Sequence, residues 1–343
     1  MTTTESGWRV AGIYNCGFEK SSFYLPMRIL LVKTSSLGDV IHNLPVVGDI
    51  RRHFPEATID WCVEEGFAAI PRLHPAVDEV IPVAVRRWRK ALFAARTWRE
   101  FATFRTQMQR NAYDAIIDTQ GLLKSALIAR RARGPVSGYA ADSAREPLAA
   151  RLYHRRFSVP SGEHAVRRNR QLAAAALGYA VTGDADYGIA APAASFAWLP
   201  ARPYVVFLTA TSRDDKLWPE AHWITLGRQL QALGYGVVLP AGNAVERERA
   251  ARLAAAIGDS VAAPPLAIGE LAALLAGARA VVGVDTGLSH LAVALATPTV
   301  ALYVATDPGL TGVLGSGFHR NLGGRGQMPA PAAVLAELQP VLA

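Results

Sequence analysis

The sequence predicts an α/β protein built from two doubly wound domains that face each other across a cleft. Strand-like apolar runs alternate with amphipathic helical stretches in both halves of the chain, and a segment rich in Gly and Pro separates the halves. The length of 343 residues also exceeds what one hydrophobic core usually holds. Such alternation indicates parallel sheets, which bind ligands beyond the carboxyl ends of their strands. The expected site is therefore the cleft.

The domain limits follow from the same patterns. We expect an N-terminal domain at residues 27–190, a C-terminal domain at residues 191–325 and a closing helix within residues 326–343. The boundary falls in a stretch without sustained periodicity, which is typical of a linker. Residues 1–26 also lack a period, and a strand begins directly after Met27. We interpret residues 1–26 as a non-native or disordered extension of the reading frame.

The N-terminal domain is predicted to alternate strands and helices. Apolar residues recur at helical spacing throughout residues 86–110, with arginines mostly on the other faces, which predicts one long helix. The predicted strands are Arg28–Val32, Thr58–Val63, Val77–Val83 and Ala115–Asp118, and the predicted helices are Val40–His53, Arg86–Arg110 and one from Gly121 to Arg131.

The C-terminal domain repeats the alternation. A Gly-rich stretch from Gly309 to Gly326 carries no predicted element. The predicted strands are Tyr204–Thr209, Gly236–Leu239, Ala280–Val284 and Thr299–Tyr303, and the predicted helices are Glu220–Leu233, Ala244–Ile257, Ile268–Ala276, Leu288–Leu295 and Ala332–Val341.

Charge is distributed unevenly between the domains. Residues 27–190 hold 24 Lys and Arg against 16 Asp and Glu, whereas residues 191–343 hold 10 of each. The formal net charge of +8 therefore belongs to the N-terminal domain. A basic domain favours an anionic partner such as nucleic acid, a membrane surface or a phosphorylated substrate. The alternative interpretation is a genome that prefers arginine.

Composition and missing motifs exclude several classes of protein. No stretch approaches the roughly 18 apolar residues of a membrane span, and no export signal is recognisable, so we expect a cytoplasmic location. Cys16 and Cys62 build neither a disulfide framework nor a metal cluster. The glycine-rich signatures of kinases and dehydrogenases and the zinc motifs are missing. We discount Asp184-Ala-Asp186 as a metal motif, because such pairs arise easily by chance. We expect no metal and no required cofactor.

Three strand ends of the C-terminal domain carry polar residues at the edge where ligands bind. One of these turns, Asp-Thr-Gly-Leu-Ser-His, opens a helix whose unpaired N–H groups attract phosphate. Hydroxyl groups and a lysine add donors at the neighbouring strand ends. A plain helix cap and a solvated loop charge are the alternatives. The candidate phosphate contacts are Thr211, Ser212, Lys216 and Thr286, together with the N–H groups of the turn from Asp285 to His290.

The loop after the first strand, KTSSLGDVIHNLP from Lys33 to Pro45, admits three interpretations. It is a strand-to-helix turn with a capping residue, a loop that holds a phosphate, or a loop that presents a catalytic carboxylate. Gly38 would let the chain turn tightly, and Asp39 is the carboxylate. Because Asp39 precedes a helix, we expect the helix dipole to lower its pKa.

Four stretches of the chain resemble the lipopolysaccharide heptosyltransferases, type I in particular. They are LVKTSSLGDVIHNLP, REPLAARLY, TATSRDDKLWPEAHW and VVGVDTGLSHLAVAL, and the resemblance extends from Met27 to about Leu314. It implies the GT-B fold, in which two Rossmann-like domains face each other across a cleft. It also implies an inverting glycosyltransferase of lipopolysaccharide core biosynthesis. Such an enzyme moves L-glycero-D-manno-heptose from ADP-heptose to the inner Kdo of Kdo2-lipid A.

The resemblance implies a role for each matching residue. Asp39 matches the catalytic base, Glu246 matches the residue that binds the ribose, and Leu266 lies where an apolar residue meets the adenine. Ser212 and Leu266 stand where Thr and Met are commoner. The implied ADP-heptose contacts are Thr211, Ser212, Lys216, Glu246, Leu266, Asp285, Thr286, Gly287 and His290.

The resemblance also gives the basic domain a partner, because Kdo2-lipid A carries phosphates and carboxylates. It implies an enzyme peripheral to the cytoplasmic side of the inner membrane. The candidate acceptor contacts are Lys33, Ser36, Gly38, Arg86, Arg87, Arg89 and Lys124.

Two other functions compete with this one. The first is another enzyme of sugar nucleotides, such as a type II heptosyltransferase or a GT-B epimerase. The second is a nucleic-acid-binding protein, which rests on the basic domain alone and lacks stacking aromatics or a recognition helix. We therefore expect no nucleic acid as a partner.

Overall fold

Twelve strands form two six-stranded sheets in residues 26–342, the part of the chain that the computed structural model describes. The strands are β1 Arg28–Val32, β2 Thr58–Glu64, β3 Glu79–Val83, β4 Ala115–Asp118, β5 Val136–Tyr139, β6 Arg155–Phe157, β7 Tyr204–Leu208, β8 Gly236–Leu239, β9 Ser260–Ala262, β10 Ala280–Val284, β11 Thr299–Tyr303 and β12 His319–Gly323. Their order is β3-β2-β1-β4-β5-β6 in the first sheet and β12-β11-β10-β7-β8-β9 in the second. All neighbouring strands are parallel. The predicted fold of two doubly wound α/β domains is confirmed.

The two sheets share one topology. In each, the chain starts at a central strand, builds outward to one side and then crosses back to the other, so the direction reverses between β1 and β4 and between β7 and β10. Such switch points leave a crevice at the carboxyl ends of the strands, where doubly wound proteins bind ligands. The fold therefore places four loops, those after β1, β4, β7 and β10, at two facing crevices.

Helices cover both faces of the sheets. They are α1 Leu37–Ile41, α2 Leu44–His53, α3 Ala69–Arg72, α4 Val85–Trp88, α5 Ala95–Arg110, α6 Leu123–Ala129, α7 Ala165–Leu177, α8 Glu220–Ala232, α9 Ala244–Ile257, α10 Ile268–Ala276, α11 Gly287–Ala294, α12 Pro308–Thr311 and α13 Pro331–Leu342. Between the halves, α1 packs on α11 and α3 on α10. One apolar cluster consequently extends across both halves, with Ile41 and Leu44 on one side and Ala272 and Leu291 on the other.

The long helix predicted over residues 86–110 is wrong, because the chain turns between α4 and α5. Side chains of α5 hold this turn: the Thr97 hydroxyl donates to the Ala91 carbonyl at 2.8 Å, and the Trp98 indole N–H donates to the Leu92 carbonyl at 2.9 Å. Trp88, at the end of α4, packs edge-on against Phe101 and Phe104 of α5. Apolar residues on both sides of the turn therefore share one face, which imitates the period of a single helix.

Other differences have local causes. The helix predicted from Val40 to His53 is divided into α1 and α2, and Pro45, which lacks an N–H donor, lies in the first turn of α2. Sequence analysis predicted no element at β5, β6, α7, β9 or β12. Three of these strands are sheet edges: β6 and β9, with three residues each, and the partly exposed β12. Such short or exposed segments carry little periodicity.

No helix or strand lies between α7 and β7. The predicted domain boundary at residue 190 falls in this segment and stays a prediction, and residues 1–25 lie outside the described part of the chain. No helix within residues 26–342 has the length and apolar character that a membrane crossing requires. The closing helix is α13, within the predicted residues 326–343.

A buried ion pair ties α7 to α2 and to the segment that follows α7. Arg170 donates to both carboxylate oxygens of Asp49, at 2.7 and 3.0 Å, and also to the carbonyls of Thr182 and Gly183. Both charged side chains are at most 5% exposed. The pair therefore fixes where the chain leaves the first sheet.

We expect Asp49→Ala to lower the free energy of unfolding by about 3–5 kcal/mol, because the buried Arg170 charge loses its partner. Urea unfolding followed by circular dichroism measures this loss. Arg52→Ala is the matched control, since Arg52 also contacts Asp49, at 3.2 Å, but with a side chain 48% exposed. That variant should lose less than about 1 kcal/mol. Equal losses in the two variants would contradict the structural role of the buried pair.

Candidate active site

A cleft of about 470 Å³ lies between the two sheets at their switch points. It joins most of the residues that sequence analysis singled out, although they come from distant parts of the chain. The lining residues predicted as site residues are Ser36, Gly38, Asp39 and Arg86 from the first half and Thr211, Ser212, Lys216, Asp285, Thr286, Gly287 and His290 from the second.

Two glycines allow α1 and α11 to touch across the cleft. A Cβ atom at Gly287 would lie 2.7 Å from Cγ of Leu37, closer than carbon atoms approach each other. A Cβ atom at Gly38 would lie 3.2 Å from Cδ2 of His290. Gly38 lies within α1, so its lack of a side chain serves this close packing rather than the tight turn that we expected.

Asp39 lies on the cleft wall formed by α1. One carboxylate oxygen accepts a hydrogen bond of 2.7 Å from Arg145, and the other accepts from the backbone N–H and the hydroxyl of Ser36. Burial by itself would raise the pKa of Asp39, but the positive charges of Lys33 and Arg145 outweigh it and lower that pKa far below its usual range. The lowered pKa agrees in direction with our expectation, and its causes are the two cations together with the hydrogen bonds from Arg145 and Ser36.

Lys33 lies beneath the cleft instead of in its lining. It is 3% exposed, and its ammonium group donates to the Thr119 carbonyl at 2.8 Å and to the Asn169 side chain at 3.3 Å. Burial lowers its pKa to about 8, so the group is mostly charged at neutral pH. From this position Lys33 acts on Asp39 through its charge.

The opposite wall is built around Asp285, at the end of β10. Its carboxylate accepts hydrogen bonds from Lys216 at 2.7 Å and from the Thr306 hydroxyl at 2.8 Å, while its carbonyl accepts from the Thr211 hydroxyl. The next residue, Thr286, precedes the first turn of α11. One cation, several hydroxyl groups and a helix start therefore meet on this wall, an arrangement suited to an anion.

Glu246 and Leu266 lie farther along the same edge of the second sheet, after β8 and β9, outside the cleft lining. The Glu246 carboxylate accepts from the Gly242 N–H at 2.8 Å and from the Asn243 side chain at 2.7 Å, which closes the first turn of α9. Leu266 is partly buried against the apolar cluster shared by the two halves.

The basic residues proposed for an acceptor differ in their surroundings. Arg86 lines the cleft with its guanidinium 5.0 Å from the centre of the Phe67 ring. Arg87 is bound by Glu65 and Glu100, whereas Arg89 is exposed at the end of α4. Lys124 donates to the hydroxyl of Ser35, in the loop before Asp39, at 3.0 Å. These residues do not form one group.

Sequence analysis missed several residues of the site, Arg145 and His42 among them. Arg145 stands first in the quoted stretch REPLAARLY, so the signal was present, but nothing there indicated a contact with Asp39. His42 and His164 lie next to His290 in the structure, with the ring centres of His42 and His164 5.5 Å apart. His42 lies in the quoted stretch LVKTSSLGDVIHNLP and His164 in none of the four, but no local pattern indicated the cluster, because His290 joins it only when the two halves meet.

The histidine cluster is a polar contact between the halves. Nε2 of His42 and Nδ1 of His290 are 3.1 Å apart, so one neutral ring donates to the other. Burial lowers the pKa of both rings, that of His290 to about 4. The neighbouring His164 lowers both pKa values further, and Asp39 raises them by less than burial lowers them.

No group of three or more His, Cys, Asp or Glu side chains in residues 26–342 is arranged to hold a metal ion. Three side chains bring positive charge to the cleft, namely Lys216 on one wall and Arg145 and Arg86 on the other. The arrangement can hold an anion against the second half and present an ionised carboxylate from the first.

Acid should weaken the contact between the halves. Since the pKa of His290 is below 6.5 in the folded state, the unfolded chain binds more protons between pH 6.5 and 4. The free energy of unfolding should therefore fall with falling pH, by about 1.4 kcal/mol per pH unit for each such histidine. Urea unfolding across this range measures the slope, and His290→Gln should reduce it. An unchanged slope in that variant would show that His290 does not titrate in this way.

Comparison with known proteins relates the chain to one family. Residues 101–332 match the sequence model of glycosyltransferase family 9 (heptosyltransferase). Lipopolysaccharide heptosyltransferase 1 of Pseudomonas aeruginosa is 51% identical over 291 residues, which cover 84% of this chain and 82% of that protein.

Two solved structures have the same fold. Heptosyltransferase WaaC of E. coli with ADP matches with a TM-score of 0.85 and 44% identity over 92% of this chain and 100% of that chain. WaaC with ADP-2-deoxy-2-fluoro heptose matches with a TM-score of 0.81 and 42% identity over 92% of this chain and 99% of that chain. The predicted GT-B fold is thereby confirmed. The chain belongs to glycosyltransferase family 9, the heptosyltransferases.

Proposed function

We propose that this protein transfers L-glycero-D-manno-heptose from ADP-heptose to the inner Kdo of Kdo2-lipid A, with inversion at the anomeric carbon. The observation that carries the proposal is the pair of cleft walls: an ionised Asp39 on one faces the Lys216–Asp285 ion pair and the start of α11 on the other. The relative named lipopolysaccharide heptosyltransferase 1 and the WaaC structures with ADP and an ADP-heptose analogue support both substrates.

The donor is proposed to bind the second half. Its diphosphate would lie against Lys216, the hydroxyl groups of Thr211, Ser212 and Thr286, and the N–H groups at the start of α11. As the bond from the sugar to ADP breaks, negative charge grows on the diphosphate. Lys216 and the helix start stabilise this charge without a metal ion, so the proposal includes no cofactor. Gly287 lets α11 approach closely, and His290 anchors that helix to His42.

The nucleoside part of the donor is proposed to follow the edge of the sheet outward. Glu246 would accept hydrogen bonds from the ribose hydroxyls, and Leu266 would offer an apolar surface to the adenine. Glu246 follows β8 and Leu266 follows β9, the first and second strands outward from β7, so one extended ligand would reach from the cleft to both. The Glu246 carboxylate already closes the first turn of α9, which holds it in place.

Asp39 is proposed as the catalytic base. Inversion requires the acceptor hydroxyl to attack from the side opposite the ADP, and Asp39 lies on the wall opposite Lys216. A positioned base contributes typically about 10²–10⁴-fold to the rate. Since Lys33 and Arg145 keep its pKa low, Asp39 is a weak base in the ground state. Proton transfer is therefore late, when the acceptor oxygen has begun to bond with the sugar and has become acidic.

The acceptor is proposed to bind the basic half at the cytoplasmic face of the inner membrane, with the enzyme peripheral to that membrane. Arg86 in the cleft and Arg89 at the end of α4 would meet its phosphates and carboxylates. Arg87 already holds two carboxylates, Glu65 and Glu100, so it contributes less than its neighbours. Ser36 lies in the loop that carries Asp39 and donates a hydrogen bond to its carboxylate, and Lys124 donates to Ser35 of the same loop.

We expect Asp39→Ala to bind ADP-heptose as the wild type does but to lose turnover by about 10²–10⁴-fold, because the base is removed while the donor wall is intact. ADP release measures turnover, with ADP-heptose in the presence and absence of Kdo2-lipid A, and calorimetry measures donor binding. Asp142→Ala is the matched control, since Asp142 is an exposed carboxylate three residues before Arg145. Turnover within a few-fold of wild type in Asp39→Ala would refute the assigned role.

We expect Arg86→Glu to raise the KM for Kdo2-lipid A by about tenfold or more, because a charge-assisted contact becomes a repulsion. The KM for ADP-heptose should stay the same. Arg105→Glu makes the same charge change at an exposed position of α5 and serves as the control. A similar rise in both KM values would show that Arg86 supports the structure of the site and does not bind the acceptor specifically.

The acceptor that the enzyme uses also distinguishes a type I from a type II heptosyltransferase. A type I enzyme acts on bare Kdo2-lipid A, whereas a type II enzyme needs an acceptor that already carries a heptose. The 51% identity with a type 1 relative favours the first. Turnover only with the heptosylated acceptor would favour the second.

A further inference from the structure

The turn between α4 and α5 exposes large apolar side chains. Phe93 is fully exposed, and Trp98, Leu92 and Leu127 are 60%, 53% and 51% exposed. Fully exposed aromatic side chains of this size are unfavourable in water. We define the α4–α5 patch as Leu92, Phe93, Trp98 and Leu127.

An apolar groove of about 490 Å³ continues the patch between α5 and α6. The rings of Trp88, Phe101 and Phe104 form its floor. Among the residues that line it, all within the described chain, the charged ones are basic and none is acidic. These basic residues are Arg89, Lys124 and Arg131, and the neighbouring Lys90 and Arg99 are exposed.

We propose that the α4–α5 patch docks the enzyme on an anionic lipid bilayer, with Leu92, Phe93 and Trp98 inserted among the lipids. The inference rests on the proposed function in that the acceptor is a membrane lipid. An apolar tip surrounded by Lys and Arg is the composition of segments that lie in a membrane interface. The Trp98 indole suits this depth, because its ring is apolar and its N–H is already bonded to the Leu92 carbonyl.

Charge favours a lipid surface over a second copy of the chain. Two such patches facing each other would bring together the basic residues Arg89, Lys90, Arg99 and Arg131, whereas anionic headgroups would neutralise them.

The patch is also connected to the active site. Lys124 lines the groove, and its ammonium group donates to Ser35, in the loop that carries Asp39. Arg86, which lines the cleft, lies in α4, directly before the turn. A lipid acceptor held at the patch would therefore have its sugar end near the cleft and its acyl chains near the bilayer.

Sedimentation with extruded vesicles tests this inference. Wild type should bind vesicles of phosphatidylethanolamine and phosphatidylglycerol, and more weakly those of phosphatidylcholine alone. Leu92→Ser with Phe93→Ser should lower the partition coefficient about tenfold or more, since two apolar side chains no longer insert. Both are exposed, so circular dichroism should stay as in wild type. Leu233→Ser, at a residue 56% exposed on the second half, is the matched control and should bind as wild type does.

Insertion of Trp98 has its own signature. Brominated lipids should quench part of the tryptophan fluorescence of wild type, and Trp98→Phe should abolish that part. Wild type that does not bind vesicles, or a double variant that binds them equally well, would overturn the inference. The inference would also be overturned if wild type does not bind vesicles and sedimentation velocity shows a dimer for wild type but a monomer for the double variant.

Activity assays separate this inference from the proposed function. The double variant should lose turnover with Kdo2-lipid A in vesicles but keep it with acceptor dispersed in detergent. Vesicle binding without any ADP release would refute the proposed function and leave docking intact. ADP release with detergent-dispersed acceptor but no vesicle binding would refute docking and leave the function intact.

Discussion

The contact between α1 and α11 is the constraint on which the cleft depends. Gly38 and Gly287 allow the helices to touch, and the hydrogen bond between His42 and His290 closes the contact. Asp39 directly follows one glycine, and Thr286 directly precedes the other. The approach of the two helices therefore sets the distance between the walls, and a Cβ atom at Gly287 would lie too close to Leu37 for this contact to persist unchanged.

The two walls of the cleft share one electrostatic arrangement. Each presents an acidic group in a partly buried place, and each holds it with a cation: Asp39 with Arg145, and Asp285 with Lys216. An unpaired charge there would cost more free energy than the pairing does. The difference lies in what surrounds each pair. Hydroxyls and a helix start make the Lys216 wall suited to an anion, while the buried Lys33 keeps Asp39 ionised.

Most of the architecture was predictable, because strand and helix periodicity is local. Several elements agree with the prediction residue for residue, among them β1 and β10. The turns after β7 and β10 were predictable for the same reason, since each follows a recognisable strand. Arg145 was not predicted as a partner of Asp39, because the two are 106 residues apart. The α4–α5 turn was missed because apolar residues on both sides of it point to one core.

The sequence by itself determined the doubly wound fold, the acidic and hydroxyl residues at the strand ends, and the basic character of the first half. These depend on residue type and short-range spacing. Only the tertiary structure decided that Lys33 is buried beneath the cleft, that Arg87 is already paired while Arg86 faces the site, and that three histidines meet between the halves. The reason is physical: burial and pairing depend on which side chains folding brings within a few ångströms, and local periodicity carries no information on those neighbours.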